Sequence, residues 1–174
     1  MSKKAYNWVP DFVYGGIDGV VTTFAVVAGV KGASLALPVI LILGFANLVA
    51  DGFSMAVGKY LSDKSSKDHL IKNGSEHADN VEPFKGGMYT FVSFNVVGLV
   101  PLLAYIFRPV LGITEEFTFT LACILTLVAL FVIGFVKGRV DETPQLKAGI
   151  QTMLIGGIAA VIAYGIGSFI EGLH

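Results

Sequence analysis

Residues 47–60 read NLVADGFSMAVGKY and follow directly on the apolar run PVILILGFA. Asn47, Asp51, Met55 and Lys59 recur at every fourth position of this stretch. Four residues turn an α-helix by about 400°, so these side chains form one slowly drifting stripe. The sequence therefore predicts an apolar helix that carries a polar stripe, and such a stripe needs a partner or a watery cavity.

The composition places this helix in a membrane. The chain has 174 residues, of which 54% are hydrophobic and only 14% are charged, and its mean hydropathy is +0.73. Soluble domains have about a quarter of their residues charged, so this chain could not cover a surface that faces water. The net charge of −1 gives no reason to expect a nucleic-acid partner. The single cysteine, Cys123, excludes an intramolecular disulfide.

Five apolar segments are long enough to cross a bilayer, which requires about 20 residues. Backbone in lipid must satisfy its own hydrogen bonds within each segment, which favours helices. The sequence therefore predicts an all-α membrane protein with five transmembrane helices in a single transmembrane domain over residues 1–174. The predicted helices are approximately 11–30, 35–61, 86–107, 116–136 and 148–170.

The distribution of lysine and arginine predicts the orientation. With the N-terminus in the cytoplasm, ten of the twelve basic residues lie on the inner side, and only Lys31 and Arg108 lie outside. Cytoplasmic loops carry an excess of Lys and Arg. We therefore expect a cytoplasmic N-terminus and an external C-terminus, which an odd number of helices allows. Lys59 is expected to extend toward the lipid headgroups, or to mark the cytoplasmic mouth of the stripe.

Glycine is concentrated within the predicted helices, and the chain contains 21 glycines. In lipid, small residues let helix backbones approach closely. Gly134 and Gly138, and likewise Gly156 and Ala160, have the four-residue spacing of such contacts. Packing within one protomer explains each pair, while the whole set indicates a tight bundle and allows a dimer.

Two aspartates lie within the predicted helices, Asp18 in the first and Asp51 in the second. A carboxylate in hydrocarbon costs about 2.5–3.5 kcal/mol, so such residues face a partner or a cavity. Counting from Pro10 and from Asp63 puts Asp18 and Met55 each about 12 Å deep at 1.5 Å per residue. The prediction is therefore a site where Asp18 lies level with Met55, with Asp51 one turn further in.

The residue types of this site suit a divalent transition metal. Oxygen ligands with one thioether fit Fe²⁺, and less selectively Mn²⁺, Co²⁺ or Zn²⁺, better than Ca²⁺ or Mg²⁺. Protons and metal compete for the same carboxylates, so the two could be exchanged. The alternative is structural: the aspartates bond neighbouring backbone or pair with Lys59, and Met55 fills space. Each aspartate precedes a glycine, Gly19 or Gly52, which leaves the adjacent backbone open to a helix or an ion.

At these residues the chain resembles the vacuolar iron transporter family, including its short prokaryotic relatives described as iron/manganese transporters. The similarity spans nearly the whole chain. The fourth predicted helix resembles that of the family only in its general residue character. The matching segments are DFVYGGIDGVVTTFAVVAGV, GFANLVADGFSMAVGKYLSDKS, PFKGGMYTFVSFNVVGLVPLLAY and LKAGIQTMLIGGIAAVIAYGIG.

The resemblance implies a homodimer of five-helix protomers with a translocation path at or near the dimer interface. It implies export of Fe²⁺, and often Mn²⁺, from the cytosol in exchange for protons, with no cofactor, and a location in a prokaryotic plasma membrane. The family's first-helix aspartate falls on Asp18 and its second-helix methionine on Met55, and both line the path. Asn47 stands where the plant branch has a glutamate, and Asp51 on the same stripe is a candidate to supply the missing charge.

The polar segment 62–85 replaces a long helical, glutamate-rich insertion that collects metal in plant and fungal relatives. Glu76, His77, Asp79 and Glu82 are weak candidates for cytoplasmic metal binding. Their spacing matches no diagnostic metal motif, and four lysines share the segment. A solvated linker is therefore the simpler reading.

Three functions remain open from the sequence. The first is a proton-coupled exporter of Fe²⁺ or Mn²⁺, with Asp18, Met55, Asp51 and Asn47 along the path. The second is a passive divalent-cation channel, and the third is a membrane scaffold in which the aspartates only join helices. No phosphate-binding glycine loop and no nucleophile–histidine arrangement is present, so we expect a gradient-driven transporter rather than an enzyme. The choice between iron and manganese stays open.

Overall fold

The computed structural model of the protein describes residues 6–173, except for the side chain of Glu76. All of its longer elements are α-helices, and a short 3₁₀ turn lies at Glu76–Asn80. The helices are α1 (Val9–Gly32), α2 (Leu37–Lys72), α3 (Pro83–Gly98), α4 (Val100–Leu111), α5 (Glu115–Val140) and α6 (Gln145–Glu171).

Proline marks where most of these helices begin. Pro10, Pro38, Pro83 and Pro101 lie in first turns, and Pro144 immediately precedes α6. The first turn of a helix tolerates proline because its N–H groups have no partner within the helix. At α5, the Thr114 hydroxyl instead accepts a hydrogen bond from the Phe117 amide at 3.3 Å.

Within residues 6–173, four helices are long and apolar enough to cross a membrane, and the α3–α4 pair makes a fifth if it counts as one bent span. The all-α membrane fold is thereby confirmed. The predicted helix 86–107 is wrong in being continuous, because the chain bends by 42° at Leu99. Pro101 lies just after the bend and lacks the N–H that would continue the hydrogen-bond ladder.

The second predicted helix is too short. It was expected to end at Leu61, but α2 continues through the polar residues to Lys72. At 1.5 Å per residue its 36 residues extend about 54 Å, well beyond a hydrocarbon core of about 30 Å. The part of α2 that extends beyond the core lies at the end of the bundle where α1, α3 and α6 begin and α5 ends. We call this the lysine-rich end.

Helix α1 is the centre of the bundle. It packs most closely against α3 and α6 and also contacts α2 and α5. Val20, Thr23 and Val27 of α1 are fully buried. At the end opposite the lysine-rich end, Lys31 pairs with Glu115 of α5 at 2.9 Å.

The outer faces of the helices are apolar. On α6, Ile155, Ile158, Val161 and Ile162 are each more than half exposed. An apolar surface of this extent suits lipid rather than water. The small pairs predicted from spacing lie inside the protomer: Gly134 and Gly138 face α6, and Gly156 faces Leu130 of α5.

Candidate metal-transport site

The polar stripe of α2 faces α1. Near one end of the shared surface, the Asn47 side-chain nitrogen lies 3.4 Å from the hydroxyl oxygens of both Thr22 and Thr23. At the other end, the Lys59 ammonium lies 3.0 Å from an Asp11 carboxylate oxygen. The stripe therefore borders a groove between two antiparallel helices, which we call the α1–α2 groove.

These two contacts fix the register of the groove. They place Asp18 at the same level as Asp51 on the two antiparallel helices. Met55 is then level with Tyr14 rather than with Asp18. The prediction that Asp18 lies level with Met55 is therefore wrong by about one helical turn. It assumed that the start of α1 lies level with Asp63, whereas Asp11 lies level with Lys59.

The glycine after each aspartate sets the direction of that aspartate. A Cβ on Gly19 would meet the backbone of Phe94, and one on Gly52 would lie 3.1 Å from the Phe94 ring and 2.7 Å from the Asn95 amide nitrogen. Both glycines therefore press against the same turn of α3. One residue turns an α-helix by about 100°, so the aspartate before each glycine is turned away from α3.

Asn47 is oriented by α1. Its amide N–H groups point to the Thr22 and Thr23 hydroxyls, and the Thr22 hydroxyl donates to the Asp18 carbonyl oxygen at 2.8 Å. This hydrogen-bonded chain uses the nitrogen side of the amide. The Asn47 side-chain oxygen takes no part in this chain of hydrogen bonds.

The four path candidates differ in exposure. Asp18, Asn47 and Met55 are half-buried, whereas Asp51 is exposed. Met55 also packs against the buried apolar cluster that contains Leu48 and Phe94. The thioether therefore borders the groove from a fixed position, one turn nearer the lysine-rich end than Asp51.

An ionic cluster that the sequence did not predict joins α1 and α2 at the lysine-rich end. Lys59 lies 2.7 Å from both Asp63 carboxylate oxygens as well as 3.0 Å from Asp11. The Tyr6 hydroxyl donates to the other oxygen of Asp11, and burial together with this hydrogen bond raises the pKa of the Tyr6 phenol. Lys59 is thus held within the protein instead of extending to the headgroups. The signal was present in the sequence, since Asp63 continues the four-residue spacing and Asp11 lies two turns before Asp18.

The weak metal-binding candidates of segment 62–85 form no evident metal site. His77 and Asp79 are exposed, and Glu82 pairs with Lys85 at 2.7 Å. The side chain of Glu76 lies outside the described part of the chain. Within residues 6–173, apart from that side chain, no three His, Cys, Asp or Glu side chains form a group that could hold a metal ion.

Comparison with known proteins agrees with this architecture. The family model described as the VIT family matches residues 9–82 and 70–168. A vacuolar iron transporter of Toxoplasma gondii is 29% identical, with 98% of this chain and 76% of that relative covered. Vacuolar iron transporter 1 of Oryza sativa subsp. japonica is 26% identical, with 94% and 85% covered, and that of Eucalyptus grandis is 25% identical, with 94% and 86% covered. Because the family model spans most of its length, this chain belongs to the VIT family.

Proposed function

We propose that this protein carries a divalent transition metal, Fe²⁺ or Mn²⁺, out of the cytosol in exchange for protons. The observation that carries the proposal is the pair of carboxylates, Asp18 and Asp51, that lie at the same level of two apolar helices. Neighbouring carboxylates repel each other strongly where the dielectric constant is low. A divalent cation or a proton relieves that repulsion, and the two compete for the same oxygens.

The side chains around this pair suit a metal of intermediate softness. Asn47 adds a neutral oxygen, and Met55 adds a thioether one turn nearer the lysine-rich end. Thioether sulfur binds transition metals and not Mg²⁺ or Ca²⁺. The similar proteins are named vacuolar iron transporters, which supports the same class of substrate.

We further propose that the protein works as a homodimer with α2 at the interface. Ala46, Ala50, Ser54 and Gly58 form an exposed run of small residues with four-residue spacing next to the polar stripe. A Cβ on Gly58 would have no atom within 4 Å, so another helix could approach there closely. Asp51 is exposed beside this run, and a second copy would bring its own Asp51 to the same seam.

In this proposal the lysine-rich end faces the cytoplasm, and the protein lies in a prokaryotic plasma membrane. Among the described residues, eight basic side chains lie at that end and two, Lys31 and Arg108, lie at the other, which supports the orientation through the positive-inside rule. A reporter fused after residue 174 tests it: alkaline phosphatase should be active there and green fluorescent protein should not fluoresce. The opposite pattern would reverse the direction of transport.

Purified protein in liposomes tests the function. A metal-sensitive dye and a pH-sensitive dye inside the same vesicles should report Fe²⁺ or Mn²⁺ entering as protons leave an acidic lumen. Asp18→Asn should reduce the flux to that of protein-free vesicles, because one of the two carboxylates is lost. Asp141→Asn is the matched control, since Asp141 pairs with Lys137 at 2.6 Å outside the groove.

The two recordings separate the alternatives. Metal entry without proton movement would identify a passive channel. Flux that persists in Asp18→Asn, combined with a lower melting temperature, would show that the aspartate only joins helices. Either result would overturn the exchange mechanism.

A further inference from the structure

The ionic cluster at the lysine-rich end joins three parts of the chain. Lys59 of α2 bridges Asp63 on its own helix and Asp11 on α1, and Tyr6 donates to Asp11. The side chains of Lys59, Asp11 and Asp63 are only 27%, 11% and 17% exposed. The ammonium therefore spans the α1–α2 groove in a largely enclosed setting.

The cluster lies between the two aspartates, Asp18 and Asp51, and the lysine-rich end. Asp11 precedes Asp18 by seven residues on almost the same face of α1, which is about 10 Å along the helix. Lys59 follows Met55 by one turn of α2 and is the next member of the stripe. A cation that moves along the α1–α2 groove from this end meets the Lys59 ammonium before it meets Met55, Asp18 or Asp51.

The start of α3 covers the third side. A Cβ on Gly86 would press on an Asp63 carboxylate oxygen and would lie 3.0 Å from the Tyr6 hydroxyl and 3.5 Å from Cε of Lys59. The α3 backbone thus fits directly over the cluster. Other ion pairs at this end lack this placement: Lys137 and Asp141, for example, form an exposed pair next to the end of α5.

We propose that Lys59 is the gate residue at the cytoplasmic end of the α1–α2 groove, and that its bond to Asp11 must break for metal to pass. This proposal rests on the proposed transport function. With the pair closed, a positive charge blocks the groove and repels an incoming cation. When α1 and α2 separate at this end, the ammonium withdraws with α2 and the carboxylates of Asp11 and Asp63 face the opening.

A reversible cross-link tests the gate. Asp11→Cys and Lys59→Cys are combined with Cys123→Ala, so that the only thiols lie across the α1–α2 groove. A short bifunctional methanethiosulfonate should reduce metal flux into liposomes to that of protein-free vesicles, and dithiothreitol should restore it. The control is Lys137→Cys with Asp141→Cys in the same background, where cross-linking should leave flux unchanged.

Equal flux before and after cross-linking of residues 11 and 59 would overturn the gate. If the wild type moves neither Fe²⁺ nor Mn²⁺, the transport function itself fails, which is a separate result. Should the double-cysteine variant not fold, Lys59→Met and Lys59→Arg replace it. Lys59→Met should pass metal without matching proton movement, because the groove stays open, while Lys59→Arg behaves as wild type; any other behaviour of folded Lys59→Met counts against the gate.

Discussion

Gly98→Ala tests whether close backbone packing holds the two aspartates in place. A Cβ on Gly98 would lie 2.8 Å from the Gly19 carbonyl oxygen and 2.9 Å from its carbon, inside the 3.4 Å at which ordinary contact begins. The obstacle is backbone, so α1 and α3 must separate by about half an ångström. Such overpacking costs about 1–3 kcal/mol, which for a chain of this size lowers the melting temperature by on the order of 2–10 °C.

The melting temperature can be read from a maleimide dye that becomes fluorescent on reaction with a thiol. Cys123 is the only cysteine and lies half-buried in α5, so the signal reports unfolding at one position. Gly157→Ala is the control, because a Cβ there meets nothing within 4 Å and alanine favours a helix interior by about 0.5–1 kcal/mol. Equal melting temperatures for the two variants would refute the packing argument. Metal flux should also fall in Gly98→Ala, since the displaced Gly19 backbone adjoins Asp18.

Three further predictions follow from the same contacts. Asn47→Asp adds a third carboxylate beside Asp18, so half-maximal metal flux should be reached at a lower metal concentration; an unchanged concentration dependence would remove Asn47 from the path. Ala50→Trp should produce monomers by light scattering in detergent, because it fills the small exposed run on α2, whereas Val161→Trp on α6 should not. Lys31→Met should change stability by no more than about 1 kcal/mol, because its partner Glu115 is 46% exposed. Lys59→Met should lower the melting temperature more, because its partners Asp11 and Asp63 are only 11% and 17% exposed; the reverse order would contradict the burial of these carboxylates.

The sequence was sufficient to predict the apolar helices and the antiparallel pairing of α1 with α2, but not which side chains lie at the same level. Spacing of four along α2 identified the stripe, and the short connection after α1 made the two helices antiparallel neighbours. The continuation of α2 to Lys72 was not predicted, because hydropathy identifies only the part of a helix that lies in lipid. Once a helix exists, each added residue costs no new nucleation, so a polar segment can extend it.

The details that the sequence left open depend on contacts between distant segments. The level of Asp18 relative to α2 could not be predicted by counting residues from the ends of the two helices, because the start of α1 and the end of the membrane-spanning part of α2 do not lie at the same level. It is set by the Lys59–Asp11 pair and by Asn47 against Thr22 and Thr23. Pro101 was a sequence indication of the bend between α3 and α4. Hydropathy alone, however, does not show whether an apolar segment forms one continuous helix.

The placement of charge along the stripe distinguishes its two ends. Lys59 is the basic residue nearest to Asp51 on the stripe, and an aspartate that served only to join helices would be expected to take it as a partner. Instead Lys59 is held by Asp11 and Asp63, eight residues or about 12 Å along the helix from Asp51. Met55 occupies the turn between them and carries no charge. The positive charge of this stripe is therefore neutralised by Asp11 and Asp63 at the lysine-rich end, which supports the proposal that the carboxylates of Asp18 and Asp51 bind a mobile cation.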